Sequence, residues 1–357
     1  MNTIPDISEL NHNIGQLFMI GIPGTGLDKN TEDLIRDYNI GGIILFSRNI
    51  SDPLQLAELC TNIKTAALKH HGNDIFIAVD QEGGNVARLK EPFSIFPGNE
   101  EIGKDADPGK KAREFGVITA KEMSMVGLNM NLAPVMDVKA GTPDKHLKGR
   151  IFSDDPDNVA LLGGIVIDSL QESGIMSVAK HFPGLGMANF DPHQDQVTIR
   201  FKSREIEKDQ LIPFISSIKK NVSGIMTSHA VYPSIDPEYP GTLSRDILTG
   251  LLRKELQYNG LILTDDLEMG AISKTIGVPE GAVASFKAGA DILLICENQQ
   301  KVVESIEYMR REILSDEIRM SRLLESLERI NSARLEYLHP GREISMAETK
   351  EYFKLKV

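Results

Sequence analysis

Apolar residues along this chain fall into eight short, nearly continuous runs, at positions 17–22, 42–46, 75–80, 129–134, 176–182, 224–230, 261–266 and 291–297. Each is dominated by Ile, Val, Leu and Met without the alternation of a half-wet strand, and so predicts a strand buried on both faces. Longer stretches with helical periodicity separate the runs. Ser51-Asp52-Pro53 opens a helix that reaches about 71 and stops at Gly72, Asp107-Pro108 one that ends near Gly127, and Asp155-Pro156 one that ends at Gly174. An aspartate before a proline suits a helix start, because the carboxylate accepts the free N–H groups of the first turn and proline has no N–H to satisfy there. Two more helices are expected over 203–220 and 244–258. Strand and helix in regular alternation predict parallel β/α architecture, and eight units predict a single (β/α)8 TIM-type barrel rather than an open sheet. The barrel is expected to occupy 1–298. Residues 299–357 are expected to be a helical extension packed on it rather than a separate domain, with a helix through 330, a Pro340-Gly341 break and a polar end.

In such a barrel the loops that follow the strands converge on one mouth, where function resides. The titratable residues of this sequence gather at those strand ends: Asp80 and Glu82 at the end of the third run, Lys180 and His181 at that of the fifth, His229 at that of the sixth, Asp265 and Asp266 at that of the seventh. Singly, Asp80 or Asp265 reads equally well as the N-cap of the following helix. Lys180-His181 is a better site candidate, because an apolar strand leading directly into a Lys-His pair leaves little room for solvent. His229 could line the mouth or be a hydrogen-bonded core histidine. His70 and His71 read as a solvated helix end, and His12, His146 and His339 lack a convergent partner in sequence.

Residues 182–197, FPGLGMANFDPHQDQV, read as an irregular loop of lid length. Within it Asp191 and His193 flank Pro192, a spacing that lets the carboxylate orient the imidazole and raise its basicity; pairing of His193 with Asp195 is the alternative. Either pairing suggests acid/base chemistry on a polar substrate.

Composition narrows the partners. A net charge of −12 with no dense Lys/Arg cluster argues against nucleic acid. The two cysteines, Cys60 and Cys296, lie far apart and imply neither a disulfide framework nor a metal site, which fits a reducing compartment. No run approaches the roughly 20 apolar residues of a membrane span, and the N-terminus lacks a signal-peptide pattern, so a cytoplasmic protein is expected. No metal or other cofactor is expected: the first strand ends in Gly21-Ile22-Pro23-Gly24, where metal-dependent barrels carry His-x-His, and the glycine pairs lack a phosphate-binding continuation. The sequence has no tryptophan, so no indole platform is available to stack a long polymeric ligand.

Together these residues resemble glycoside hydrolase family 3, in particular its single-domain bacterial β-N-acetylglucosaminidases. The resemblance runs in register from about 14 to 297 through GGIILFSRN (41–49), VDQEGGNVARL (79–89), NLAPVMDV (131–138), GRIFSDDP (149–156), KHFPG (180–184), Asp191-x-His193, MTSH (226–229) and LTDDLEMGA (263–271). It implies Asp265 as nucleophile and His193, oriented by Asp191, as general acid/base. It implies Asp80, Arg88, Arg150, Lys180 and His181 as sugar-binding residues and a small carbohydrate as the only partner, with a monomer the favoured state. The implied reaction is retaining removal of terminal N-acetylglucosamine from cell-wall or chitin fragments. A β-glucosidase or a glycoside phosphorylase on the same barrel is the runner-up, substrate-assisted catalysis supported by Asp265-Asp266 a mechanistic alternative, and a silent sugar-binding barrel the reading from another class. Three positions depart from the family pattern: Leu185 where histidine is common, Asn85 where arginine is common, and Pro192 where serine is common.

Overall fold

All eight apolar runs form strands: β1 (Phe18–Gly21), β2 (Gly42–Leu45), β3 (Phe76–Val79), β4 (Met130–Asn131), β5 (Met176–Phe182), β6 (Gly224–Thr227), β7 (Leu261–Leu263) and β8 (Leu293–Ile295). The computed structural model describes residues 7–141, 145–187, 197–200, 204–338 and 343–355. The strands pair in parallel throughout, in the order β7-β6-β5-β4-β3-β2-β1-β8. Hydrogen bonds from Thr264 N to the Ile292 carbonyl (2.9 Å) and from Ile292 N to the Ile262 carbonyl (3.1 Å) bring β7 against the approach to β8. The sheet thereby curls into the (β/α)8 barrel that the alternation predicts. Every residue of all eight strands is buried, which explains the unbroken apolar runs.

The helix starts follow the Asp-Pro signals. Asp52 accepts from Leu54 N and Gln55 N at the head of Pro53–His71, which ends on Gly72 at φ 70°. Asp107 and Asp155 cap Pro108–Met125 and Pro156–Glu172 in the same way. The helix expected over 244–258 is present as Asp246–Glu255, wound as a π-helix. Two expectations need correction. The single helix expected through 330 is two, Gln299–Leu314 and Met320–Tyr337, parted by a turn in which Asp316 takes φ 62° and Ile318 is buried. The expected polar end instead carries the helix Met346–Tyr352, where Thr349 is buried and donates to the Met125 carbonyl, and Phe353 packs edge-on against Phe93 with ring centroids 4.7 Å apart. The Pro340-Gly341 break lies outside the described residues.

The end of the barrel away from the mouth is tied by Asp291, fully buried just before β8. Its carboxylate accepts from Ile262 N (3.0 Å), Ser326 Oγ (2.6 Å) and Arg329 Nη1 (3.2 Å), pairs with Arg253, and has Arg322 at 3.7 Å. The helix Met320–Tyr337 is thus anchored to the strand that closes the barrel. No described helix is long and apolar enough to cross a membrane.

Candidate active site

At the mouth, β3 passes directly into Asp80. The next residue is locked by Asn131 at the end of β4, whose side chain accepts from Gln81 N and donates to the Gln81 carbonyl, both at 3.0 Å. Gln81 Oε1 in turn accepts from Arg88 N (2.9 Å) and Leu89 N (3.0 Å), folding the hairpin back so that the Arg88 side chain returns over Asp80. β5, the longest strand, carries Lys180 and His181 into the same space.

These elements assemble a buried ionic cluster. Lys180 Nζ lies 2.7 Å from Asp80 Oδ1 and 2.7 Å from Glu82 Oε1. Arg88 Nη2 reaches Asp80 Oδ2 at 3.2 Å, and Arg150 grips Glu82 with two bonds of 2.8 and 2.9 Å. Burial alone would raise both carboxyls. Lys180 and Arg88 outweigh it at Asp80 and hold that group below the usual carboxylate range, while Arg150 and Lys180 bring Glu82 down to about 2. Burial likewise opposes charge on Lys180, but Asp80 and Glu82 raise it above its ordinary value. Cations and carboxylates thus face one another in a largely buried site, a rigid array of charged donors and acceptors for hydroxyl groups.

The opposite wall belongs to the loop after β7. Asp265 and Asp266 line the same cavity as Asp80, Arg88, Arg150, Lys180 and His181, with a volume of about 270 Å³. That is slightly below the roughly 300–1,000 Å³ of small-molecule sites. The backbone N–H of Asp266 donates to Asp265 Oδ1 at 2.8 Å. Burial pushes the Asp266 carboxyl up to about 7 against the hydrogen bond it accepts from Glu268 N, with the charge of Asp265 adding to the rise, and it pushes the Cys296 thiol beside Asp266 well above its ordinary value.

Seven of the singled-out residues have a definite place. Asp80, Arg88, Lys180, His181, Arg150, Asp265 and Asp266 share one cavity, and Arg150 commits two of its N–H groups to Glu82. Asp191 and His193 lie outside the described residues, as do Pro192 and Asp195. His229 is a core histidine: Nδ1 meets Thr242 Oγ1 at 2.7 Å and Nε2 the Asp266 carbonyl at 2.9 Å, which braces the loop bearing both aspartates. Leu185 is buried at the cavity wall, and the Asn85 side chain sits at the surface, 3.5 Å from the Lys148 carbonyl.

Four residues escaped sequence reasoning as site members. His146, set aside for want of a partner, lines the cavity, as does Cys296 from the end of β8. Glu82 holds Lys180 and Arg150. Asp137, fully buried, accepts from His181 Nδ1 at 2.8 Å. Glu82 and Asp137 lie inside VDQEGG and NLAPVMDV, where a carboxylate in an otherwise apolar strand end was the available signal. Among the described residues, no group of three or more His, Cys, Asp or Glu side chains is arranged to hold a metal ion.

Comparison with known proteins agrees with this geometry. Residues 9–333 match the family model described as the glycosyl hydrolase family 3 N-terminal domain. A β-hexosaminidase of Idiomarina loihiensis is 36% identical over 296 residues, covering 81% of this chain and 86% of its own. Among solved structures, a glycoside hydrolase family 3 β-N-acetylglucosaminidase from a Paenibacillus species superimposes with a TM-score of 0.89 at 32% identity, over 97% of this chain and 67% of that one. NagZ from Neisseria gonorrhoeae, solved with N-trifluoroacetyl-D-glucosamine, gives 0.73 at 28% identity, over 89% of this chain and 97% of that one.

Proposed function

The chain belongs to glycosyl hydrolase family 3 and is a glycoside hydrolase of the β-N-acetylhexosaminidase type, and from that premise we propose a retaining, exo-acting β-N-acetylglucosaminidase working through a covalent glycosyl-Asp265 intermediate. One observation carries the reading: Asp265 and the Asp80–Lys180–Arg88 cluster face one small cavity. Asp80 accepts sugar O–H groups while Lys180, Arg88 and His181 hold others, and the ring is fixed with its anomeric carbon toward Asp265. Arg150, locked on Glu82, forms part of the same wall. The Asp265 carboxylate attacks that carbon as His193, oriented by Asp191, protonates the departing glycosidic oxygen. His193 then takes a proton from the water that cleaves the ester and releases N-acetylglucosamine.

The substrates are short fragments of cell wall or chitin with N-acetylglucosamine at the non-reducing end. The pocket volume and the N-acylglucosamine bound by the Neisseria protein support this. Cys60 and Cys296, both buried free thiols, are in keeping with work in a reducing compartment.

The test is kinetic. Asp265→Ala abolishes turnover of an aryl N-acetyl-β-glucosaminide; activity near wild type contradicts the assignment. His193→Ala loses far more on poor leaving groups than on activated ones, whereas equal losses remove its proton-transfer role. In phosphate buffer the product is free N-acetylglucosamine, and accumulation of the sugar phosphate would make the enzyme a phosphorylase.

A further inference from the structure

A second cavity, of about 300 Å³, lies beside the sugar cavity, between the hairpin that follows β3 and the stretch 90–96. Arg88 lines both cavities. No step of the proposed hydrolysis uses the second one.

The chemistry of the two differs. In the sugar cavity Asp80, Asp265 and Asp266 face the cations; in the second no aspartate or glutamate lines the wall, although acidic residues outnumber Lys and Arg by 51 to 39 in the chain. Its charged members are Arg88 and Lys90, joined by the Ser47 hydroxyl and the Asn85 amide, while Ile95 and Phe96 supply an apolar side. Both cations have donors to spare. Arg88 Nη2 meets Asp80 Oδ2 at 3.2 Å, the longest contact of the ionic cluster, and Nε is buried with no acceptor among the described residues. Lys90 is exposed and forms no ion pair among the described residues. A buried donor without a partner is costly, and an acceptor brought in by a ligand removes that cost.

We propose that the second cavity binds a phosphate-class oxyanion, free or carried on a small sugar, between Arg88 and Lys90. A guanidinium and an ammonium on one wall, with no carboxylate lining it, suit a ligand that has several acceptor oxygens and a full negative charge. Ser47 and Asn85 add neutral donors, and Ile95 and Phe96 take the carbon skeleton of an ester. The sugar-borne form rests on the functional reading above. With the anomeric carbon toward Asp265 on the opposite wall, the far end of the ring lies on the side of Arg88, and a phosphate on its primary hydroxyl extends toward the second cavity.

The experiment compares wild type with Lys90→Ala and Asn85→Asp, each checked for wild-type hydrolysis of an aryl N-acetyl-β-glucosaminide in phosphate-free buffer. Neither residue lines the sugar cavity. Calorimetry measures binding of inorganic phosphate, with and without saturating N-acetylglucosamine, and inhibition assays compare N-acetylglucosamine with its 6-phosphate. For a free ion, phosphate binds the wild type saturably and still binds when the sugar cavity is filled. For a sugar-borne ion, the 6-phosphate inhibits about tenfold more strongly than the unmodified sugar. In either case Lys90→Ala weakens the effect about tenfold, the size of one charged hydrogen bond, and Asn85→Asp weakens it by setting a carboxylate in the cavity. The site is overturned if neither ligand shows its effect, if Lys90→Ala leaves that effect unchanged, or if N-acetylglucosamine displaces phosphate completely and the 6-phosphate gains nothing, which places the ion in the sugar cavity. Calorimetry with phosphate needs no turnover, so a wild type that fails to hydrolyse the aryl substrate removes the functional reading and leaves the free-ion site standing.

Discussion

The backbone N–H of Asp266 donates to Asp265 Oδ1 at 2.8 Å, so two successive carboxyl groups share one wall of the cavity and the first is held by the amide of the second. Burial pushes the Asp266 carboxyl up to about 7, and the neighbouring Asp265 adds to the rise.

That shift has a signed consequence for stability. In the unfolded chain the Asp266 carboxyl loses its proton near its ordinary value of 3.8, but in the folded protein only near 7. The native state therefore binds more protons across this window, and stability falls as pH rises through it, by up to about 4–5 kcal/mol at about 1.4 kcal/mol per unit. Asp266→Asn removes the titration. Melting curves from about pH 4 to 8 should show the wild type losing more stability than the variant as pH rises; parallel curves would remove Asp266 as their source.

Glu82 works in the opposite sense. Its carboxyl is lowered from 4.5 to about 2, so its contribution is fully present above about 4.5 and lost as pH falls toward 2. Glu82→Gln keeps the shape and removes the charge, leaving Lys180 and Arg150 buried against Asp80 alone. A loss of about 3–5 kcal/mol is expected from such an unpaired ion. Denaturant unfolding at neutral pH measures it, and an unchanged midpoint would mean that Asp80 suffices for both cations.

Asp291 carries a comparable load at the other end of the barrel. Arg253, Arg322 and Arg329 all converge on it, within a site that also takes Ser326 Oγ and Ile262 N. Asp291→Asn takes from three guanidinium groups the carboxylate they share and is expected to cost about 3–5 kcal/mol. Because Asp291 is not part of the sugar cavity, KM of the folded variant should match the wild type. Steady-state kinetics below the unfolding transition check this, and a raised KM with little lost stability would reverse the assignment.

The barrel was legible because a strand buried on both faces must be apolar throughout, and because Asp52, Asp107 and Asp155 mark helix starts by a local bond that needs no tertiary context. The break after Leu314 was not, since no proline or glycine marks it: Asp316 turns the chain in the left-handed region while Ile318 is drawn into the core. At the site, Asp80, Lys180, His181 and Asp265 could be found by reading strand ends. Glu82 and Asp137 were in view but without a role, because their partners lie 68 and 44 residues away, and a carboxylate buried among cations looks in sequence like any other. Cys296 reaches the cavity from the end of the strand that closes the barrel and His146 from the turn 145–147 after β4, placements that no local pattern encodes.

Covalent trapping tests the central claim most directly. A fluorinated N-acetylglucosaminyl fluoride, whose added fluorine destabilises the oxocarbenium-like transition state while the fluoride leaving group keeps the first step fast, should accumulate as a glycosyl-enzyme. Intact mass should rise by one sugar residue, and peptide mapping should place it on Asp265 within LTDDLEMGA. An enzyme that turns over the reagent with no adduct on Asp265, or with the adduct on Asp266, would contradict the account.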